Sequence, residues 1–122
     1  MHELSIAQSI LDTVLKEKHE RGLPRVDQVA VQVGALSGVL PDSLQFCFEA
    51  IRIDTELQTC ELTIETVPIT VECRECYART TVEDFLFVCP KCGSVHVDVV
   101  AGYELDISYL EVPDPVHDPA DP

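Results

Sequence analysis

The stretch Cys73–Cys92, CRECYARTTVEDFLFVCPKC, decides how this chain must fold. It holds two Cys-x-x-Cys pairs, Cys73 with Cys76 and Cys89 with Cys92, twelve residues apart. Each pair can offer two thiolates from one tight turn, and a hairpin between the pairs would gather four sulfurs around a tetrahedral Zn²⁺. The separation is shorter than the roughly 15–20 residues common in such sites, so the hairpin must be short. TTVEDFLFV and VHVDVV are its candidate strands. Gly93, directly after Cys92, is the flexible residue such a turn often needs. Four cysteines close a tetrahedron and leave no position for water, so the expected zinc is structural rather than catalytic. A rubredoxin-like iron site and a redox dithiol are the competing readings of the same cysteines. His96 is read as an ordinary strand residue of the hairpin, with a ligand at this or a second metal as the other reading.

Working outward, a cysteine-rich segment of about thirty residues, 72–102, has too little core to fold alone, and metal binding would supply the missing stability. It is flanked by alternating apolar patterns. ELTIETVPITVE reads as one long strand with Leu62 and Ile64 inward and Pro68 at a bulge or an unpaired edge position. YELDISYLEV alternates through Leu105, Ile107 and Tyr109. Further upstream, VDQVAVQV sets Val29, Val31 and Val33 on one face against Gln28, Ala30 and Gln32, the pattern of a half-buried strand.

Two helices complete the set. SIAQ at Ser5–Gln8 fits a capping box with Ser5 as N-cap. Ala7, Ile10, Leu11, Val14 and Leu15 follow at helical spacing, with Asp12–Lys16 and Glu17–Arg21 as i,i+4 pairs and Gly22 as the stop. A helix is therefore expected over roughly Ser5–Arg21, leaving residues 1–3 outside it. The second helix carries Leu44, Cys47, Phe48 and Ile51 on one face, where Cys47 reads as a small core residue. Cys60 carries no separate signal. The expected architecture is α+β: a three-stranded sheet with two helices (residues 1–71 and 103–112) and an inserted zinc-ribbon-like domain with a four-cysteine site (72–102). Residues 113–122, with four prolines among the last ten positions, are expected to be a disordered acidic tail.

Of 122 residues, eight are Lys or Arg and 22 are Asp or Glu, a formal charge of −14. That field repels a phosphate backbone, so nucleic acid is not an expected partner, whereas a cationic partner or a metal ion would suit it. Solubility alone also explains an acidic surface. No window approaches the roughly 18 apolar residues of a membrane span, and the N-terminus shows no signal-peptide pattern. A cytoplasmic location is expected, where six cysteines point to metal rather than disulfides.

The opening residues MHE raise a separate question. The α-amine of Met1, the amide nitrogen and imidazole of His2, and the amide nitrogen of Glu3 could form a plane of four nitrogens. That geometry selects Ni²⁺ or Cu²⁺ over zinc. A histidine at position two is equally compatible with a terminus that does nothing.

Three stretches change this balance: MHELSIAQSI at the start, VQVGALSGVLPDSLQFCFEAI across the first strand and second helix, and the paired CREC and CPKC. Together and in this order they resemble the HypA/HybF family of hydrogenase-maturation nickel metallochaperones over about residues 1–112. The resemblance implies transient Ni²⁺ cargo at Met1, His2 and Glu3, with the His2 side chain essential, and zinc held by Cys73, Cys76, Cys89 and Cys92. It implies a mixed α/β nickel domain with an inserted zinc domain, and no enzymatic activity. The implied partners are a maturation GTPase and the precursor of the [NiFe]-hydrogenase large subunit, with urease maturation served by some members. Some relatives carry a histidine directly after the second Cys-x-x-Cys; Gly93 stands there in this chain. The competing functions are a zinc-ribbon adaptor that transfers no nickel, a thiol oxidoreductase using one cysteine pair, and a purely structural subunit.

Overall fold

The structure is a computed structural model and describes residues 3–113. The expected tail therefore lies outside the described residues except for Pro113, as do Met1 and His2. In chain order the elements are α1 (Glu3–Glu20), β1 (Gln28–Gly34), α2 (Pro41–Ile51), β2 (Glu61–Val67), β3 (Thr70–Cys73), β4 (Arg79–Thr81), β5 (Val97–Ala101) and β6 (Leu105–Glu111). They form two three-stranded sheets, ordered β2-β1-β6 and β4-β3-β5. The α+β class is as the sequence indicated.

Helix α1 buries Ile6, Ala7, Ile10, Leu11 and Val14 along one stripe. It begins two residues before the expected cap, so Ser5 is a first-turn residue and not the N-cap. An acidic Glu3 in that turn suits the positive end of the helix dipole. The far end stops as the sequence indicated. Gly22 takes φ 62°, Leu23 N donates to Lys18 O at 2.9 Å and Gly22 N to His19 O at 3.3 Å, closing a Schellman turn. Of the two expected i,i+4 ion pairs, Glu17–Arg21 forms at 2.6 Å. Asp12 instead accepts from Gln8 Nε2 at 2.9 Å.

Strand β1 is the middle strand of its sheet, and it buries Ala30 as well as Val29, Val31 and Val33. A central strand is covered more completely than the half-buried one its alternation suggests. Glu61 N donates to Asp27 O and Ala35 N to Val67 O, so β2 runs parallel to β1. The connection is the long crossover through α2 that parallel strands require. Asp27 N to Glu111 O and Gly34 N to Glu104 O make β6 antiparallel to β1.

The expected long strand through Pro68 divides into two. Proline has no N–H for a ladder, β2 stops at Val67, and β3 starts at Thr70 in the other sheet. The expected hairpin between TTVEDFLFV and VHVDVV does not form either. β4 and β5 both pair with β3, on opposite sides, through Val71↔Thr80 and Val71↔Val99. The segment after β4 cannot continue as a strand because Asp84 and Phe85 hold φ 53° and 58°, turning the chain.

The chain divides into two compact units: residues 1–31, 40–64 and 107–122, and residues 32–39 and 65–106. The second is wider than the 72–102 expected for the inserted module. The first unit has a large core in which Val14, Val29, Val31, Leu44, Phe48, Leu57 and Cys60 are fully enclosed. The second packs only Ile69, Val71 and Val82 in its apolar cluster, with Leu36, Phe87, Val97 and Val99 half-buried against them.

Candidate metal centre

Two copies of one small turn build the centre. Cys73 closes β3; its N–H donates to Ala78 O at 3.0 Å and its carbonyl accepts from Tyr77 N at 3.0 Å. Cys89 repeats this, donating to Ser94 O at 2.8 Å and accepting from Gly93 N at 2.8 Å. The fifth residue of each turn lies in the left-handed region, Tyr77 at φ 61° and Gly93 at φ 76°. Each turn thereby folds a Cys-x-x-Cys pair so that both sulfurs face the same point. The amides of Glu75 and Cys76 both donate to Cys73 Sγ at 3.4 Å.

The four Sγ atoms lie within 4.8 Å of one another. Cys73 Sγ is 3.5 Å from Cys92 Sγ, and Cys76 Sγ is 3.6 Å from Cys89 Sγ. These separations are far beyond a disulfide bond of about 2.05 Å. They approach the roughly 3.8 Å edge of a tetrahedron with Zn–S bonds of about 2.3 Å. Cys73 and Cys89 are buried, Cys76 and Cys92 exposed. The donor set and spacing fit a closed structural zinc site.

Electrostatics point the same way. The amide of Cys76, followed by that of Glu75, draws the Cys73 thiol down to about 6 against its burial. Cys89 is lowered by the amides of Cys92 and Lys91. Ser94's amide favours the Cys92 thiolate, but the neighbouring sulfurs and burial push that thiol up to about 12. Cys76 is raised as well: the amide of Ala78 favours its thiolate, and the sulfur of Cys89, burial and the sulfur of Cys73 oppose it. Four thiolates at this spacing repel one another, and a divalent cation among them removes that repulsion.

His96 is not part of the sulfur cluster. It precedes β5, its carbonyl accepts from Arg74 N at 2.9 Å, and its exposed ring lies 3.9 Å from Glu75 Oε1. Cys60 is buried in the first unit, where enclosure pushes its thiol up to about 11.

At the other sequence-marked site, Glu3 is the first residue of α1, and its Oε2 accepts from Leu40 N at 3.1 Å. Leu40 is the N-cap of α2 and has no side-chain cap of its own. Glu3 thus supplies from 37 positions away the bond that a Glu or Gln at the third helical position makes in a capping box, where this chain has Ser43. No sequence pattern announces such a tie. Beside it runs an open groove of about 450 Å³ lined by Glu3, Leu4, Asp42, Ser43, Phe46 and Cys47. Cys47, read from its spacing as a core residue, is half-buried on that wall.

A closed tetrathiolate turn-pair on a small sheet, carried in a chain with a helix-rich α+β body, defines a zinc-ribbon-bearing α+β protein. Comparison with known proteins narrows this class. The family model for hydrogenase/urease nickel incorporation, metallochaperone, HypA, matches residues 1–112, and the chain belongs to that family. The hydrogenase maturation factor HypA of Desulfatibacillum aliphaticivorans is 40% identical over 121 residues, covering 94% of this chain and 89% of that protein. Its counterpart in Geobacter metallireducens is 43% identical over 112 residues, covering 92% and 99%. The fold is similar to the solution structure of the nickel metallochaperone HypA from Helicobacter pylori, with TM-score 0.62, 24% identity, and coverage of 92% and 97%.

Proposed function

We infer that this chain is a nickel metallochaperone of hydrogenase maturation that takes Ni²⁺ at Met1, His2 and Glu3 and retains Zn²⁺ at Cys73, Cys76, Cys89 and Cys92. The observation that carries the reading is the family match over residues 1–112, which spans both the terminal triplet and all four cysteines. Ni²⁺ is cargo here. The α-amine, the amide nitrogens of His2 and Glu3 and the His2 imidazole would form a planar claw. The start of α1 at Glu3 favours this arrangement, because first-turn amides have no intrahelical acceptor and the helix field stabilises anionic nitrogen there. The Glu3 carboxylate accepts from Leu40 N, and the planar claw takes the main-chain nitrogen of Glu3.

The two sites divide the work. A surface claw of three terminal residues discriminates by geometry and can be stripped by a partner, whereas zinc within four sulfurs keeps the second unit folded. Transfer proceeds by ligand exchange, so no catalytic base is required and the protein is no enzyme. The partners are a maturation GTPase and the large-subunit precursor of a [NiFe]-hydrogenase, met in the cytoplasm, with urease as a second recipient system. Among the described residues no helix is long and apolar enough to cross a membrane.

Metal analysis and nickel titration of the untagged chain, His2→Ala and an N-terminally extended form test this. One tight zinc should remain in all three, with planar nickel binding only in the unmodified chain. Equal nickel binding by the extended form removes the terminal amine from the mechanism. A chain that binds zinc alone would be an adaptor and not a nickel carrier.

A further inference from the structure

The turn after β4 carries an arrangement that neither metal site uses. Val82 enters the small apolar cluster of the second unit, and Phe87 packs half-buried against the same cluster. Between them Phe85 and Leu86 are turned out, 62% and 67% exposed. Val82 N donates to Ile69 O at 2.8 Å, Leu86 N to Glu83 O at 3.1 Å and Val88 N to Leu86 O at 3.0 Å. Cys89, a buried member of the sulfur cluster, follows directly. The projecting pair therefore stands on fixed points at both ends, and a preorganised segment loses little freedom when it is bound.

The backbone there is strained. Asp84 and Phe85 are consecutive left-handed residues, at φ 53° and 58°. Asp tolerates that region, whereas a bulky aromatic is an outlier in it. Glycine would make the same turn without strain, and a strained residue persists only where its surroundings over-determine it. What the strain achieves is an aromatic and an aliphatic side chain set next to each other in water. Folding gains nothing from that exposure, since burial is what stabilises an apolar side chain.

Charge narrows the choice of occupant. Glu83 and Asp84 border the pair, and residues 80–90 contain no Lys or Arg. Neither carboxylate has an ion-pair partner among the described residues. Acyl chains would accept Phe85 and Leu86, but an anionic lipid surface repels both carboxylates and a chain of formal charge −14. A second copy would bring the same two carboxylates to the contact. A protein pocket with apolar walls and a Lys- or Arg-bearing rim satisfies the side chains and the charges together, with an aromatic anchor at the centre and polar contacts around it.

We propose that Phe85 and Leu86 are the anchor by which this chain docks into an apolar, basic-rimmed pocket on a maturation partner, with Glu83 and Asp84 paired to the rim. The proposal rests on the partner reading given above and deepens it. The grip belongs to the second unit, and none of the residues that take nickel is part of it.

The test is calorimetric titration of the full zinc-loaded chain against the purified maturation GTPase and, separately, the purified large-subunit precursor. One of the two binds, and more weakly as salt is raised. Phe85→Gly lowers that affinity about thirtyfold. Zinc content and nickel uptake at the N-terminus are kept, and the melting temperature is equal or higher because the left-handed strain is relieved. A residue that merely supported the fold would lower it. Should Phe85→Gly fail to fold, Leu86→Ala decides, with an expected loss of about tenfold. Glu83→Gln combined with Asp84→Asn, which tolerates the same backbone, slows association and flattens the salt dependence. Folded Phe85→Gly and Leu86→Ala variants that bind as the parent does overturn this proposal and leave the partner reading standing. A parent chain that binds neither protein overturns both. Attachment to phosphatidylglycerol vesicles, or self-association, that Phe85→Gly abolishes while protein affinity is kept assigns the anchor to lipid or to a second copy and overturns the proposal as well.

Discussion

Tyr77 and Gly93 occupy the same place in the two cysteine turns, at φ 61° and 76°. Left-handed backbone costs an L-residue with a Cβ roughly 1–2 kcal/mol and costs glycine almost nothing. Gly93→Ala should therefore lower thermal stability of the zinc-bound chain by about 1 kcal/mol, although open space surrounds its Cα. Tyr77→Gly should be neutral or stabilising by up to about 1 kcal/mol. Thermal denaturation of both variants checks this opposite pair of signs. Gly34 is constrained differently, because a Cβ there would overlap the carbonyl of Gly102. Its backbone also bonds Glu104 O at 2.7 Å, so neither partner can retreat without breaking a hydrogen bond. Gly34→Ala is expected to cost roughly 2 kcal/mol or more, measured by chemical denaturation.

At the level of elements, the C-terminal end of α1 is held by a carboxylate from beyond α2. Glu56 accepts from Lys18 Nζ and from His19 Nε2, each at 2.7 Å. The bond from Lys18, then that from His19, keeps its carboxyl below the ordinary value of 4.5. A depressed carboxyl contributes stability that is fully present above its unfolded value and lost as pH falls through its folded one. The small stabilisation from this tie should thus persist at pH 6 and fade below about pH 4.5. Glu56→Gln should narrow the difference from the parent chain over that same acid range, followed by melting temperature against pH. Strand order is also an element-scale result: Pro68 hands the chain from one sheet to the other, so neighbouring patterns in sequence serve different cores.

For the molecule as a whole, stability is unevenly distributed. The first unit encloses Phe48, Leu44 and Leu57 in a substantial core, while the second has Ile69, Val71 and Val82 and four cysteines. So small a core does not offset the conformational entropy of some fifty ordered residues, and metal binding supplies the difference. Stripping zinc with a strong chelator should abolish amide protection in β3, β4 and β5 and leave α1 and β1 protected at residues up to Val31. Hydrogen exchange read by mass spectrometry checks it; retained protection in β3 would show that the sulfur cluster is dispensable for the fold.

Much of this was legible in residue order. The apolar stripe of α1, its Gly22 stop, the three strands of the larger sheet and the paired cysteines all depend on local periodicity or fixed spacing, and local physics sets them. The tertiary structure alone decided the rest. Ser5 is not the cap because where a helix begins depends on what meets its first amides. Pro68 divides a stretch that reads as one strand, whose apolar positions shift phase from Leu62 and Ile64 to Val67, Ile69 and Val71, because the two halves are claimed by different sheets. The bond from Glu3 to Leu40 and the open edge of β6 exist only once distant segments are adjacent, since contact across the chain is not encoded in any one stretch of it.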